Sequence, residues 1–349
     1  MAGAYQTFDP QDLVISTENV TNTVFENNQP NLTAFHTSSN QVASATGQFY
    51  YNIFGSAAAT GSVQFAIAYC DEQGSGSVLY NPTVDGLSPT RTNYGQYRSL
   101  FLGDEEGAFV FGNTTSSYFY ALPVERSGYK EELLPGVMTL CLSGSGGSGR
   151  ELYLTDDSKL GGAAQFGAAG RIYNLVSGSA GVVNTTQNVN GYSPGSGSYG
   201  WFLPDIGTIL LNGEALDAPY TTAFGLGLGT GRNSNTADNN PKKLYDNMNL
   251  GGGASTNPGF TLNSQEQLSS DFIFCRARSQ DFNYSSNPSF ISGSTGAVLY
   301  DSFINDPQVY ITTVGLYNND QELVAVAKLS RPLLKDFTKE LLVRVKLDF

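Results

Sequence analysis

The chain has 349 residues, a net charge of −13, 40 glycines and only 14% charged residues, against about 25% in an ordinary soluble domain. An acidic chain is a poor candidate for recognition of a phosphate backbone, which needs clustered Lys and Arg, and no apolar run approaches a membrane span. Neither a nucleic-acid nor a membrane partner is therefore expected.

Residues 1–46 read as an extended arm. Leu13, Ile15, Val20, Val24 and Phe25 occur singly or in pairs among Ser, Thr, Asn and Gln. They show no helical period and little mass for a local core. Such an arm is either disordered or laid across a neighbouring subunit, and the scattered bulky residues favour the second. Strands begin at Gly47, with GQFYYNIF and SVQFAIAYC separated by the glycine-rich GSAAATG. Residues 93–102 place Tyr94, Tyr97, Leu100 and Phe101 on one side of a short helix. Strands follow at 107–112 and 117–124, and residues 126–134 (RSGYKEELL) read as a short helix ended by Pro135-Gly136. Residues 137–143 and 151–155 form a hairpin, and 169–178 adds a strand. A long loop is expected over 178–200. Residues 201–216 contain the strand TILLN followed by an Asn-Gly turn. Residues 224–262 are the least regular stretch and read as a long functional or subunit-facing loop. The sheet resumes at 270–278, and 281–290 (DFNYSSNPSF) reads as an ordered aromatic turn.

The last 44 residues carry the strongest pattern. Residues 308–317 are rich in Val, Ile, Thr and Tyr, the residues of a pleated, half-buried strand. Asn318-Asn319-Asp320 supplies a turn. Leu323, Ala325 and Ala327 then alternate with Val324, Val326 and Lys328 in a second strand, predicted to be buried on much of both faces. Pro332 has no N–H to donate and is expected to break the pairing. In the final strand Leu341, Val343, Val345 and Leu347 alternate with Leu342, Arg344, Lys346 and Asp348, giving one apolar and one mostly charged face. Because the chain ends on this strand at Phe349, its terminus is expected to be built into a sheet or an interface.

Candidate chemistry is thin. Residues 144–149 match G-x-G-x-x-G, but RELYLT after them reads as a strand, whereas a dinucleotide site needs a helix there. His36 is the only histidine, so no His-based metal cluster is expected. The acid pairs Asp71-Glu72, Asp104-Glu105-Glu106 and Asp156-Asp157 lack the spacing of a calcium loop, and adjacent acids in turns read as solvated surface. Cys70, Cys141 and Cys275 sit in or beside apolar runs at spacings that match no metal motif. They read as free thiols of a protein made in a reducing cytoplasm, and the start MAGAYQTFDP has neither the basic nor the apolar region of a signal peptide. No catalytic, cofactor-binding or metal-binding residue is assigned. Charge is uneven: residues 1–100 hold only Arg91 and Arg98, whereas 320–349 hold six cations, an asymmetry suited to steering subunit docking.

Several stretches resemble virion structural proteins of large contractile-tailed bacteriophages, especially marine ones. They are residues 309–349, RARSQDFNYSSNPSF (276–290), FHTSSNQVASATGQFYYNIF (35–54), SVQFAIAYC (62–70) and GQYRSLFL (95–102). No counterpart is found for 178–262. The resemblance implies a virion structural protein of the tail or baseplate, made in the host bacterial cytoplasm and partnered by other phage virion proteins. It brings no catalytic residues.

The expected fold is mainly β, with antiparallel sheets in a β-sandwich-like arrangement and few short helices. The expected organisation is an arm (1–46), a β domain (47–177), a loop-rich insertion or second β subdomain (178–262), and C-terminal strands (263–349) with a hairpin and a terminal strand. The expected function is a non-enzymatic tail or baseplate subunit that forms a homo-oligomer and binds neighbouring virion proteins. Its expected interface residues are Leu13, Ile15, Val24, Phe25, Tyr317, Leu342, Arg344, Lys346 and Phe349. The alternatives are a receptor- or glycan-binding appendage or capsid decoration protein that takes a host surface glycan, and a glycan-degrading spike.

Overall fold

A computed structural model describes residues 5–38, 49–56, 61–76, 83, 88–143, 151–186, 191–219, 224–231, 239–252, 259–285 and 287–348. The G-x-G-x-x-G stretch and Phe349 lie outside them.

The N-terminal third contains β1 (Leu13–Thr23), β2 (Asn31–Leu32), β3 (Tyr50–Phe54) and β4 (Val63–Asp71), then helix α1 (Pro89–Leu102), β5 (Phe109–Phe111), β6 (Thr114–Ser116) and β7 (Tyr118–Pro123). There follow β8 (Glu132–Leu133), β9 (Thr139–Ser143), β10 (Glu151–Asp156), β11 (Gln165–Gly167), β12 (Gly170–Ser179), β13 (Val182–Val183), β14 (Gly200–Leu203) and β15 (Thr208–Asn212). Helices α2 (Gly213–Asp217) and α3 (Asn240–Gly252) precede β16 (Phe260–Thr261) and β17 (Asn263–Ala277). The chain closes with α4 (Asp301–Asn305), β18 (Val309–Tyr317), β19 (Leu323–Lys335) and β20 (Leu341–Asp348). The mainly β, antiparallel class expected from the sequence is what the chain adopts.

These elements fall into two compact units, residues 1–19 with 267–349 (unit 1) and residues 20–266 (unit 2). This division differs from boundaries at 46, 177 and 262, because Val24, Phe25, Leu32 and Phe35 are buried in the core of unit 2.

In unit 2 the strand path β2-β16-β9-β10-β12-β14-β15-β7-β4-β3 curls into a half-barrel. Alternation along each strand fills both faces. On β7, Tyr118, Tyr120 and Leu122 enter one cluster with Leu244 and Met248 of α3. Phe119 and Ala121 enter the other, with Tyr94 and Phe101 of α1 and Phe109 and Phe111 of β5. A sheet buried on both faces explains the near-continuous apolar runs FAIAYC and YFYAL. Helix α1 starts at Pro89 and is capped after Leu102 by Gly103, whose left-handed φ of 64° lets its N–H reach the Ser99 carbonyl.

Three local expectations change. Asn212-Gly213 is no hairpin turn: Asn212 Oδ1 accepts from the N–H groups of Glu214 and Ala215 and caps α2. Residues 126–134 form one 3₁₀ turn, Arg126–Gly128, followed by β8, because the Arg126 guanidinium binds the carbonyls of Tyr129 and Lys130 and β8 pairs with β17. The 224–262 stretch contains α3, held by burial of Leu244 and Met248.

In unit 1, β1, β17 and β20 form a sheet and β18 and β19 a separate hairpin. Pro332 does not end β19. The ladder shifts register between the Ile311↔Leu333 and Thr313↔Lys328 pairs, so that Leu329–Pro332 bulge out, and pairing resumes to Val309↔Lys335. Nor is the second hairpin strand buried on both faces, since Leu323, Val324 and Val326 are exposed.

Candidate functional site

The polar candidates resolve into fasteners of turns in unit 2. Asp71 Oδ1 accepts from the N–H groups of Gln73 (2.9 Å) and Ser75 (3.1 Å). Asp104 accepts from the Glu106 N–H at 2.9 Å. Asp156 accepts from the Gly136 N–H at 2.8 Å. Asp157 accepts from the Asn174 N–H at 3.0 Å, and burial pushes its carboxyl up. Among the described residues no three His, Cys, Asp or Glu side chains converge to hold a metal. His36 exchanges backbone hydrogen bonds with Phe54, which ties the end of the arm to the edge strand β3.

An open cleft of 280 Å³ in unit 2 is lined by residues including Phe25, Glu26, Asn27, Ser62, Gln64 and Glu125. Glu26 Oε2 accepts from the Ser62 N–H (3.1 Å) and Oγ (2.9 Å), which lowers its pKa. Gln64 Oε1 accepts from the Glu26 N–H at 2.8 Å. The carboxylate thus anchors the chain after Phe25 to the start of β4, a structural duty.

The unusual surface belongs to unit 1. Of the 22 exposed large apolar side chains among the described residues, 18 lie there. Neither hydrophobic cluster contains a residue of unit 1, and its buried apolar residues are Ala277, Ile291, Leu316 and Val345. A unit of about 100 residues ordinarily buries most of its apolar side chains in a core of its own. Here the strands are formed, and many of their large apolar side chains are exposed.

The expected interface residues divide accordingly. Leu13 and Ile15 are exposed on β1, Tyr317 on β18 and Leu342 on β20. Arg344 and Lys346 share the exposed face of β20 with Leu342, and both cations lie over the Phe272 ring, at 5.2 and 5.9 Å from its centroid. Val24 and Phe25, by contrast, are 6% and 3% exposed. Phe25 packs against Phe260 at 5.6 Å between ring centroids, so these two serve the core of their own chain and are withdrawn as interface residues. Tyr5, Leu323, Val324 and Val326 are exposed as well. The ring of Tyr5 meets Tyr317 edge-on at 5.0 Å. The sequence signal for the other three was present, because a strand apolar on both faces fits an interface as well as a core.

No protein-family model, curated protein or solved structure matches the chain.

Proposed function

We propose that this chain is a non-enzymatic structural subunit of a bacteriophage virion, placed in the tail or baseplate, which assembles through unit 1. The observation that carries the reading is the concentration of exposed apolar side chains on a unit whose described residues form no hydrophobic cluster of their own. Monomeric proteins seldom expose contiguous apolar patches above a few hundred Å², and assembly parts bury such surfaces against neighbours. The resemblance of residues 276–290 and 309–349 to virion structural proteins supplies the setting. Asp71, Asp104, Asp156 and Asp157 accept from backbone N–H groups of their own unit, which agrees with a scaffold role. Mass spectrometry of particles purified from producing cultures tests the reading. The chain is expected as a stoichiometric component, and its absence from the particles would overturn the proposal.

A further inference from the structure

The hairpin β18–β19 is a two-stranded ribbon that pairs with no other strand among the described residues, and an isolated ribbon is at best marginally stable in water. Opposite residues of an antiparallel pair share a face. One face carries Val314, Leu316, Ala325 and Ala327, and these are buried or half-buried. The other carries Gly315 opposite Val326 and Thr313 opposite Lys328, continuing to Tyr317 and Leu323. On this side Tyr5, Tyr317, Leu323, Val324 and Val326 are between 44% and 69% exposed. Five such side chains, about half exposed, present about 400 Å² of largely apolar surface. A standard interface buries about 800 Å² per partner, a little over half of it apolar, so the ribbon alone meets the apolar share of a stable dimer contact.

The charges of the ribbon identify the occupant. Its exposed acids are Asp320 and Glu322 at the tip; its exposed cations, Lys328 and Arg331, lie further down β19. Among the described residues neither cation has an ion-pair partner within the chain. Along the sequence Ala325 lies midway between Glu322 and Lys328, and Arg331 stands in the bulge just beyond Lys328. A two-fold axis lying in the contact plane and running across the strands near this point sets the acidic tip of one ribbon over the basic stretch of an identical one, twice. At the same point Val326 stands opposite Gly315, and Tyr317 Cε2 and Leu323 Cδ1 lie 3.0 and 3.2 Å from where a Cβ of residue 315 would stand, so that Tyr317, Leu323 and Val326 form one apolar centre. We infer that the exposed face of the β18–β19 ribbon docks on the same face of a second copy of this chain, antiparallel and about a two-fold axis, with the Val326 side chains of the two copies meeting near the axis. An isologous contact of this kind needs one patch complementary to itself, and the ribbon has both the apolar centre and the flanking opposite charges.

This inference deepens the assembly reading and rests on it for its biological setting. Light scattering of the purified full-length chain tests it directly. The wild-type protein is expected to be a dimer at micromolar concentration and to loosen as salt screens the flanking charges. Val326→Lys, a change at an exposed position, is expected to raise the dissociation constant at least about tenfold by setting two like charges at the axis. The double substitutions Lys328→Glu with Arg331→Glu, and Asp320→Lys with Glu322→Lys, each leave a ribbon of one sign and are expected to give monomers. Mixing the two is expected to restore a dimer containing one of each. A monomeric wild-type chain, an odd-numbered oligomer, or a dimer indifferent to Val326→Lys would overturn the inference. A monomer in solution that is nevertheless found in purified particles would overturn self-docking alone, whereas a dimer absent from particles would overturn the virion reading alone.

Discussion

The ammonium of Lys335 lies 2.7 Å from the side-chain oxygen of Asn283, and both residues are buried. The same Nζ donates to the carbonyls of Ser279 (3.0 Å) and Asp336 (2.9 Å), and Asn283 Nδ2 donates back to Ser279 at 2.7 Å. A lysine is almost never fully buried unless its charge is compensated. Here three oxygens replace its water and pin the end of β19 to the turn at 279–283. In a unit that buries few apolar side chains, this polar knot holds the base of the hairpin.

Lys335→Met keeps most of the volume and removes the donor, leaving buried oxygens that lose a partner. The expected cost is about 2–3 kcal/mol of local stability. It is measured as faster hydrogen exchange of β19 amides, while the unfolding transition reported by Trp201, the only tryptophan, which lies in unit 2, stays in place. Unchanged exchange in β19 would show that the knot does not hold the hairpin.

Asp336, next in the chain, gives a pH signature. Its Oδ1 accepts from Thr338 Oγ1 (2.6 Å) and the Thr338 N–H (2.9 Å), and Lys339 lies 3.0 Å from Oδ2. The Thr338 hydroxyl and then Lys339 hold its pKa at about 2, below the ordinary 3.8. A lowered carboxyl pKa contributes stability above the unfolded value that is lost as pH falls through the folded one. The 336–339 turn is therefore expected to stay closed above about pH 4 and to loosen between about pH 4 and 2. Asp336→Asn should remove that dependence. NMR titration of the carboxyl carbon checks this, and a midpoint at or above 3.8 would refute it.

Gly200 tests the half-barrel. It begins β14 at φ 151°, and a Cβ there would collide with the carbonyl oxygen of Leu210, which belongs to the paired strand β15. Backbone cannot move aside without breaking the Gly200↔Leu211 and Trp201↔Leu210 pairs. Gly200→Ala is expected to cost about 3 kcal/mol, seen as a lower denaturant midpoint in Trp201 fluorescence. A midpoint equal to that of the wild type would mean that the strands adjust freely.

Much of this architecture was legible because alternation survives wherever a strand has two unlike faces. On β20, Leu341, Val343, Val345 and Leu347 are buried or half-buried, and Leu342, Arg344, Lys346 and Asp348 are exposed, as their spacing predicts. Patterns failed where one residue type serves two geometries. Asn-Gly fits a hairpin turn, yet Asn212 is equally an N-cap, and only the buried Ala215 and Leu216 decide for a helix. Helix α3 stayed hidden because its inward face rests chiefly on Leu244, Tyr245 and Met248 among Asn, Lys and Gly. Tyr245 reveals its role only in three dimensions, where it stacks on Tyr51 and donates to the Phe35 carbonyl. The interface candidates were half legible for the same reason: Val24 and Val326 are both valines with apolar chain neighbours, and only long-range packing separates a core residue from a surface one.

The terminal strand gives the last prediction. β20 pairs with β17 along its whole length, from Ser270↔Asp348 to Ala277↔Leu341, and Val345 is one of the few buried apolar residues of unit 1. Deleting residues 340–349 strips β17 of that partner and opens an unpaired edge prone to aggregation. Cys275, opposite Val343 in this ladder, is half-buried, and burial raises its thiol pKa; Cys70 and Cys141 are fully buried in unit 2. The truncated chain is therefore expected to react with a thiol reagent at one site, Cys275, at least about tenfold faster than the intact chain, as local opening exposes it. It is expected to keep the Trp201 transition and to fail to enter particles. Normal particles containing the truncated chain would show that β20 is dispensable, and unchanged Cys275 reactivity would show that β17 holds its place without it.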